Sequence, residues 1–518
     1  MNMPKRVDIT PEQMEGLLER AQASMSEKDF EVIKGLAETI MYLGYVVDSK
    51  NTSINRLLKL LFGSQTEKTS KVTKKNTSGK PKTDKKKNNG HGKNGKEAYT
   101  GAEKITISHE TLKHKDNCPS CGIGKVYDTN MPGVLVRVTG NPPCTGKIYE
   151  LQKLRCNLCG MVYTARAPDN IGEKKYDEAA GAIIALLKYG TGMPFNRLSQ
   201  LQAFLGVPLP SSTQWEIVEA VADKIHPVYR ALIRHAAQGD IVYNDDTTMK
   251  IMELVNRKDD EVSTRKGMYT TGIVSTTNNL KVAVFMTGNH HAGENLEDVL
   301  AYRSKDLSAP VQMCDALSRN IPKTLKTIIA NCLAHARRKF IDIEGNYPDE
   351  CVYILSLFEK IYTFDDHTKE MTPDDRLRYH QENSGPVMEE MHTWLKQQVK
   401  EKKAEPNSDF GSVVSYMLKH WPELTLFLRN GKAPLDNNIC ERALKKSILH
   451  RKNSLFYKTQ HGAYIGDLFM SLIHTCGLCN VNPFEYLKML QLHTSDLFKN
   501  PENWLPWNYH QADAAISS

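Results

Sequence analysis

The sequence predicts a multidomain α/β protein whose central domain is a mixed five-stranded sheet with helices. Its 518 residues allow about three domains of roughly 150 residues each. Between residues 240 and 332, segments rich in Val, Ile and Thr alternate with turn residues and predict five strands. Helical patterns precede this region and continue from residue 334 onward. The sheet is therefore expected to lie among helical segments.

The composition excludes several classes of protein. Charged residues make up 25% of the chain and hydrophobic residues 40%, as in ordinary globular proteins. No apolar run approaches the roughly 20 residues that a membrane-spanning helix needs, and the N-terminus lacks the apolar core of a secretory signal. We therefore predict a cytoplasmic protein without a membrane partner. The net charge of +8 suits a polyanionic partner.

The N-terminal region, residues 1–68, is predicted to be helical and to carry a leucine-zipper (coiled-coil) seam. Apolar residues recur every seven positions, and leucines follow three residues after several of them. Lys50 occupies the one polar inner position, where it either fixes the register or weakens the seam. The pattern predicts at least a homodimer, and a helix packed on its own domain is the alternative. The seam residues are Ile33, Ile40, Val47, Ile54 and Leu61, with Leu36, Leu43 and Leu57.

Residues 69–100 form a predicted basic, disordered linker. Between Lys71 and Lys96 the chain has ten lysines, one aspartate and almost no apolar residues, so this segment cannot bury enough surface to fold. Its lysines can neutralise phosphates without reading a sequence of bases. The alternative is a solvated linker that binds nothing.

Residues 101–172 are predicted to form a zinc ribbon. Two C-x-x-C pairs, separated by 34 residues, offer four thiolates with the spacing of a structural Zn²⁺ site. Short strands are predicted at Val134–Val138 and Lys147–Leu154, between the two pairs. The alternative is four unrelated thiols. The predicted zinc ligands are Cys118, Cys121, Cys156 and Cys159.

Residues 173–238 are predicted to be a helical DNA-binding region. The candidate helices are Ala179–Leu187, Arg197–Leu205 and Ser212–Ile233, with prolines between the last two. Short helices joined by polar turns suit a DNA-binding module. A plain helical packing layer is an equal alternative.

The central domain is predicted to begin with residues 239–345. Three strands in a meander are followed by a strand, a helix and a further strand, which is the order of a ribonuclease-H-like fold. A helical insertion at 346–430, a returning core helix within 431–475 and a helical tail at 476–518 complete the predicted organisation. The predicted strands are Asp240–Leu254, Gly267–Ser275, Leu280–Thr287, Pro310–Cys314 and Thr327–Cys332, and the predicted helices include Asn295–Tyr302, Cys351–Thr363, Pro386–Lys400 and Gly411–Leu428.

Two aspartates stand at strand positions that need a chemical reason. Asp245 lies inside the first strand, where aspartate is disfavoured, and Asp315 closes the fourth strand. Side-chain alternation allows both carboxylates to emerge beside each other in one sheet. Two like charges so close would keep one group protonated unless a cation relieved their repulsion. The pair therefore predicts a metal site.

Glu441 supplies a third carboxylate from a predicted helix. The alternative role for this side chain is a capping box in which Asn438 is the N-cap. Carboxylates from two strands and a helix suit a clamp for two Mg²⁺ (or Mn²⁺) ions about 4 Å apart, which serves phosphoryl transfer. The sequence thus predicts Asp245, Asp315 and Glu441 as catalytic residues and metal ligands.

Basic residues crowd the segments around these acids. We predict that they hold DNA phosphates beside the metal ions, and the alternative is that they are ordinary surface charges of helices. The predicted DNA-binding residues are His335, Arg337, Arg338, Lys339, Arg442, Lys445, Lys446, Arg451 and Lys452.

Several of these segments resemble the transposases of insertion-sequence family sixty-six. The resemblance implies a DDE-type transposase with Asp245, Asp315 and Glu441 as its triad, an RNase-H-like core and extra helices between the second aspartate and the glutamate. Asp246 stands where the family usually has Glu, so either Asp245 or the adjacent Asp246 could be the ligand on the first strand. The matching segments are Leu60–Ser64, Asn244–Thr247, Cys332–Phe340, Asp436–Asn438 with Glu441–Arg442, and Trp504–Asn508.

The resemblance implies an activity and partners. A transposase binds the terminal inverted repeats of its element, cleaves there and joins the freed 3′ hydroxyls to target DNA. We therefore expect a nucleoid-associated homodimer or higher oligomer, and a need for accessory proteins of the same element stays open. A metal-dependent nuclease or resolvase would use the same triad. A catalytically idle DNA-binding relative is a third interpretation, against which three intact carboxylates argue.

Overall fold

The computed structural model describes residues 11–27, 29–37, 39, 107, 110–117, 119, 121, 123–127, 141–155, 162–168, 174–256, 267–277 and 280–517. They divide into two compact units. The sheet unit contains residues 229–471 and the described residues before 76, and the second unit contains the described residues of 77–228 and 472–518. The predicted linker, the strand predicted at Val134–Val138, most of the leucine-zipper seam and three of the four predicted zinc ligands lie outside the described residues.

The strands and helices are labelled in chain order. The strands are β1 (Lys153–Arg155), β2 (Val162–Thr164), β3 (Ile241–Thr248), β4 (Tyr269–Thr277), β5 (Leu280–Gly288), β6 (Val311–Cys314) and β7 (Ile328–Asn331). The helices are α1 (Pro11–Ser24), α2 (Glu178–Ala185), α3 (Phe195–Phe204), α4 (Ser211–Ala236), α5 (Met252–Val255), α6 (Ala292–Leu300), α7 (Leu333–Ile343), α8 (Pro348–His367), α9 (Pro373–Tyr379), α10 (Gly385–Lys400), α11 (Asp409–Lys419), α12 (Trp421–Leu424), α13 (Asn438–Ser454), α14 (Gln460–Leu478), α15 (Pro483–Leu492), α16 (Thr494–Lys499) and α17 (Tyr509–Ser517).

The sheet unit is built on five strands in the order β5-β4-β3-β6-β7. Strands β3, β4 and β5 pair antiparallel, whereas β6 runs parallel to both β3 and β7. In the parallel pair, Tyr243 lies opposite Met313. Continuing that register by two residues brings Asp245 next to Asp315. The predicted mixed five-stranded sheet with helices is confirmed.

A glycine lets helix α13 approach the middle of the sheet. Gly272 on β4 lies opposite Asp245 on β3, and a Cβ atom at Gly272 would lie 3.0 Å from the Leu444 side chain of α13. The Cys440 thiol donates a hydrogen bond to the Gly272 carbonyl oxygen at 3.2 Å. Because no side chain intervenes, the helix that carries Glu441 packs directly beside the strand that carries Asp245.

Polar side chains of two helices close the edge strand β5. The Tyr229 hydroxyl of α4 donates to the Phe285 carbonyl oxygen at 2.9 Å, and the Phe285 N–H donates to the Ser471 hydroxyl of α14 at 2.9 Å. An exposed edge offers unpaired backbone groups to other chains. At this point of β5, both outward-facing backbone groups have partners within the sheet unit.

The second unit combines a short ladder with helices. Strands β1 and β2 pair antiparallel, and helix α2 begins where the Asp177 carboxylate accepts the Ala180 N–H at 2.8 Å. The Gln491 amide of α15 donates to the Glu178 carbonyl oxygen at 2.9 Å. The predicted helices of this region are thus present as α2, α3 and the beginning of α4.

The structure corrects four of the predicted segments. The helix predicted between the fourth and fifth strands is only a 3₁₀ turn at Ser318–Asn320, because Pro322 follows and Ile321 is extended, with φ −99° and ψ 129°. The helix predicted at Gly411–Leu428 ends at Lys419 and restarts in α12, where Pro422 cannot donate a backbone hydrogen bond. The strands predicted at Asp240–Leu254 and Lys147–Leu154 shorten to β3 and β1.

No helix within the described residues combines the length and the apolar character that crossing a membrane requires.

Candidate functional site

Neighbouring aspartates of β3 serve opposite faces of the sheet. The Asp246 side chain is only 2% exposed, and its carboxylate lies 3.1 Å from Nδ1 of His291 and 3.4 Å from Nη2 of Arg319. The Ala292 N–H, at the beginning of α6, also donates to it at 3.4 Å. Because these partners engage Asp246, the geometry favours Asp245 as the residue of β3 that faces the other acids.

His335 brings the second aspartate and the glutamate together. Nδ1 of His335, in the first turn of α7, lies 2.6 Å from Oδ1 of Asp315, and its Nε2 lies 3.5 Å from Oε1 of Glu441. Arg338, one helical turn later, places Nη2 3.6 Å from Oε2 of Glu441. Side chains three residues apart on a helix share a face, so α7 presents one imidazole to both acids and one guanidinium to Glu441.

Glu441 is not part of a capping box. Helix α13 is preceded by Asn437, whose side chain makes no capping hydrogen bond, and the Asn438 N–H donates to the Asp436 carboxylate at 3.1 Å. The Asn438 amide instead donates to the Asp436 carboxylate at 2.5 Å. The capping interpretation of Glu441 was therefore wrong. Among the described residues, Oε1 of Glu441 is buried and accepts no hydrogen bond, which leaves it available to a cation.

Two hydrogen bonds of Asn437 hold the beginning of α13 against the core. The Asn437 amide donates to the Asn244 carbonyl oxygen at 3.2 Å, immediately before Asp245. The Asn437 N–H donates to Sγ of Cys332 at 3.3 Å, immediately before α7. Asn437 therefore links the segments that carry Asp245, His335 and Glu441.

The protonation of Asp245 and His335 reflects their shared surroundings. Burial raises the pKa of Asp245 to about 7, and the negative charge of Asp315 adds to this rise. Burial alone would lower the pKa of His335, but the contact with Asp315 and the neighbouring Cys332 raise it to about 10. The ionised form of Asp245 therefore needs a positive charge nearby to stabilise it, and the imidazolium of His335 supplies part of that charge.

A metal-capable group of donors lies at this place. Within the described residues, ligand atoms of Asp315, Cys332 and His335 all lie within 4.8 Å of one another. The sequence indicates Cys332 only as part of a family motif and does not predict it as a donor. The missed signal was its spacing, since Cys332 precedes α7 by one residue and stands three residues before His335.

The predicted DNA-binding residues differ in their surroundings: some contact other side chains of the fold, and others are exposed. His335 and Arg338 face the acids, and the ammonium group of Lys339 lies 4.4 Å from the centre of the Tyr416 ring. Arg451 donates to the Thr247 and Thr248 hydroxyls at 3.1 and 2.6 Å and so holds the end of β3. Arg337 is half-buried, whereas Arg442, Lys445, Lys446 and Lys452 are exposed on α13.

The predicted zinc ribbon has one described ligand. Sγ of Cys121 is exposed and accepts the Gly124 N–H at 3.4 Å, in a turn flanked by a bridge between Asn117 and Lys125. The other three predicted ligands, Cys118, Cys156 and Cys159, lie outside the described residues.

The fold and the site define an α/β protein with acidic and imidazole donors gathered at the carboxyl end of its central parallel strands. Residues 175–465, more than half of the chain, match the model of the Transposase IS66 family. The chain belongs to this family, as the sequence motifs predicted. It is also similar to two uncharacterized proteins of Sinorhizobium fredii (strain NBRC 101917 / NGR234). The protein y4hP is 26% identical over 70% of this chain and 68% of its own length, and y4jD is 26% identical over 64% and 66%.

Proposed function

We propose that this protein is a DNA transposase that binds the ends of its element and catalyses metal-dependent cleavage and strand transfer. Asp245, Asp315 and Glu441 are the proposed catalytic carboxylates. The observation that carries this proposal is their arrangement around His335, because three separate elements supply acids to one place. Family membership supports the activity, since transposition requires a site for phosphoryl transfer to DNA.

The topology of the sheet supports a ribonuclease-H-like core. An antiparallel meander of three strands is followed by two parallel strands on the side of β3. The first acid stands on the first strand of the meander, the second follows β6, and the third lies on a later helix. The helices α8 to α12 between the second and third acids form the proposed helical insertion.

The donor set fits Mg²⁺ or Mn²⁺, held by Asp245, Asp315 and Glu441. Two observations support this fit: Oε1 of Glu441 accepts no hydrogen bond from the described residues, and burial, followed by the charge of Asp315, raises the pKa of Asp245. Bound there, two such ions would supply activation of the attacking hydroxyl and stabilisation of the leaving oxygen. His335 orients Asp315 and Glu441, and Arg338 offsets negative charge beside Glu441.

DNA contacts and assembly belong to the same proposal. The exposed cations of α13 flank Glu441 and suit contacts with phosphates on either side of the scissile bond. The N–H to sulfur bond at Cys121 is typical of a structural Zn²⁺ knuckle completed by Cys118, Cys156 and Cys159. We further propose a homodimer or higher oligomer through the N-terminal seam, acting on the element's inverted repeats and on target DNA.

The test is Mg²⁺-dependent 3′-end cleavage and strand transfer on the end DNA of the flanking element. Asp315→Ala and Glu441→Ala are expected to lose both reactions while DNA binding stays equal to wild type. Asp298→Ala is a matched control, because this carboxylate of α6 is 56% exposed and lies 3.5 Å from the exposed His290. Unchanged activity in both triad variants would overturn the assignment.

The joining step separates the proposal from its alternatives. Cleavage without joining in the wild type would indicate a nuclease or resolvase. Binding of end DNA without either reaction, with and without the other proteins of the element, would indicate a DNA-binding relative that lacks catalysis.

A further inference from the structure

A short segment joins the helical insertion to the helix that carries Glu441. This connecting strap, Gly431–Asn437, has no regular secondary structure and leads directly into α13. Its second half is fixed to the beginning of α7, since the Leu333 N–H donates to the Leu435 carbonyl oxygen at 2.9 Å and the Asn437 N–H donates to Cys332 at 3.3 Å. The position of Glu441 therefore depends on how the strap is held.

Arg376 of the insertion holds the first half of the strap. Its Nη1 donates to the carbonyl oxygens of Gly431 at 3.0 Å and Ala433 at 2.7 Å. Its Nη2 donates to Asp365 of α8 at 3.0 Å. The Arg376 side chain is only 16% exposed, and Ala433 is fully buried. One guanidinium thus joins two insertion helices to the carbonyl groups of the half-buried Gly431 and the buried Ala433.

Close packing leaves the strap little freedom at the same place. A Cβ atom at Gly431 would lie 1.9 Å from the carbonyl oxygen of Pro373, the first residue of α9. Nε of Arg376 also donates to the Thr368 hydroxyl at 3.3 Å. The planar guanidinium therefore has bonds in several directions, and a substitution that removes it leaves the buried Ala433 carbonyl and the Gly431 carbonyl without this partner.

We propose that Arg376 is a positioning residue that sets Glu441 relative to Asp245 and Asp315 by fixing the connecting strap. This inference rests on the proposed function, in which Glu441 is a metal ligand. Arg376 touches neither the acids nor His335 in the described structure, so its effect passes through the strap. The helical insertion accordingly serves the metal site as a brace. Partners that are hydrogen-bonded directly to metal ligands typically change metal affinity by about 10- to 100-fold, and an effect that passes through the strap is expected at the lower end of this range.

The test measures Mn²⁺ binding to the full chain, without DNA, by the electron paramagnetic resonance signal of free Mn²⁺. Arg376→Met keeps much of the aliphatic stem and removes every donor, and we expect about a tenfold weaker affinity. Arg376→Lys restores some donors and is expected to recover part of the loss. Arg378→Met is the matched control, because Arg378 lies on the same helix, is 69% exposed and places Nη2 3.8 Å from Asp375, at a surface position.

A double variant separates positioning from general damage. In a Glu441→Gln background, Arg376→Met is expected to cause no further loss of Mn²⁺ affinity, because the ligand it positions is already impaired. A further tenfold loss of Mn²⁺ affinity in that background would overturn the proposal that Arg376 positions Glu441. Wild-type Mn²⁺ affinity in a folded Arg376→Met protein would overturn it as well. Wild-type Mn²⁺ binding in Glu441→Gln itself would instead contradict the proposed function.

A second variant decides the question if Arg376→Met does not fold. Asp365→Asn keeps the shape of the side chain and removes the charge that anchors Arg376. It is expected to weaken Mn²⁺ binding about threefold with circular dichroism like that of the wild type. Unchanged affinity in folded Asp365→Asn, together with an Arg376→Lys protein that binds as the wild type does, would overturn the proposal.

Discussion

Asp245 and Asp467 have similarly raised pKa values in different surroundings. Burial raises the pKa of each to about 7. At Asp245 the neighbouring charge of Asp315 adds to the effect of burial, whereas the Asp467 carboxylate accepts hydrogen bonds from the Thr287 N–H and hydroxyl, both at 2.6 Å. One acid stands among like charges, and the other has neutral donors on both oxygens.

The difference teaches how to interpret a raised pKa. A buried carboxyl that is hydrogen-bonded to a strand is a structural link between α14 and β5. At Asp245, where a second carboxylate adds to the effect of burial, the Asp246 N–H and the charge of His335 lower the pKa only in part, so a bound cation would compensate the charge further. The pKa alone does not distinguish these cases, but the nature of the neighbours does. Metal ions are therefore expected to lower the pKa of Asp245 and to leave the pKa of Asp467 unchanged.

The largest expected effect is on catalysis. Asp245→Asn keeps the size of the side chain and removes a proposed ligand, so we expect DNA cleavage to fall about a thousandfold. Asp467→Asn is expected to stay within about threefold of wild type. Rates of Mg²⁺-dependent 3′-end cleavage at equal DNA binding measure both. Comparable losses in the two variants would mean that Asp245 contributes through structure as Asp467 does.

The next effect is on the free energy of unfolding, and here the larger change is expected at Asp467. Because the folded pKa of Asp467 lies above the unfolded value of about 3.9, the folded state binds the proton more tightly and stability falls as pH rises from about 4 to about 7. This shift corresponds to a loss of up to about 4 kcal/mol. Asp467→Asn cannot ionise, so thermal unfolding is expected to favour the variant more at pH 8 than at pH 4.5. If the stability of variant and wild type changed with pH in parallel, ionisation of Asp467 would not be the cause of the pH dependence.

Local patterns made much of the fold and site predictable. The five strands follow from runs of Val, Ile and Thr, and Asp245 and Asp315 stood out because aspartate is unusual there. Alternation along β3 also places Asp245 and Asp246 on opposite faces. Which face holds the site depends on where His291 and Arg319 come to lie, and these residues are 45 and 73 positions beyond Asp246.

Long-range backbone contacts could not be predicted in the same way. Arg376 bonds carbonyl groups 55 and 57 residues away, and a carbonyl oxygen carries no signal in the sequence. Asp467 was missed although it is a single acid in the apolar segment Ala463–Ile473. The short 3₁₀ turn after β6 was predictable from Pro322, whose effect on the preceding residue is local.

A smaller effect is expected in how much Mg²⁺ stabilises the Asp245 and Asp467 variants. At pH 8, Mg²⁺ at ten times its dissociation constant is expected to stabilise the wild type by about 1.4 kcal/mol, and less at pH 5, where protonation of Asp245 competes with the ion. Asp467→Asn keeps this gain, and Asp245→Asn loses most of it. Thermal unfolding with and without Mg²⁺ at both pH values measures the difference. An equal gain in Asp245→Asn would place the ion elsewhere.

The smallest expected effect tests the structural side of the comparison. Ser471 lies one helical turn after Asp467, donates to the Asp467 carbonyl oxygen at 2.6 Å and accepts the Phe285 N–H. Ser471→Ala removes that acceptor from a buried N–H of β5, so we expect a loss of about 1 kcal/mol in stability with little change in Mn²⁺ affinity. Ser412→Ala, at an exposed position of α11, is the control. A weaker Mn²⁺ site in Ser471→Ala would show that the edge of the sheet also supports the acids, and the two regions would then no longer be independent.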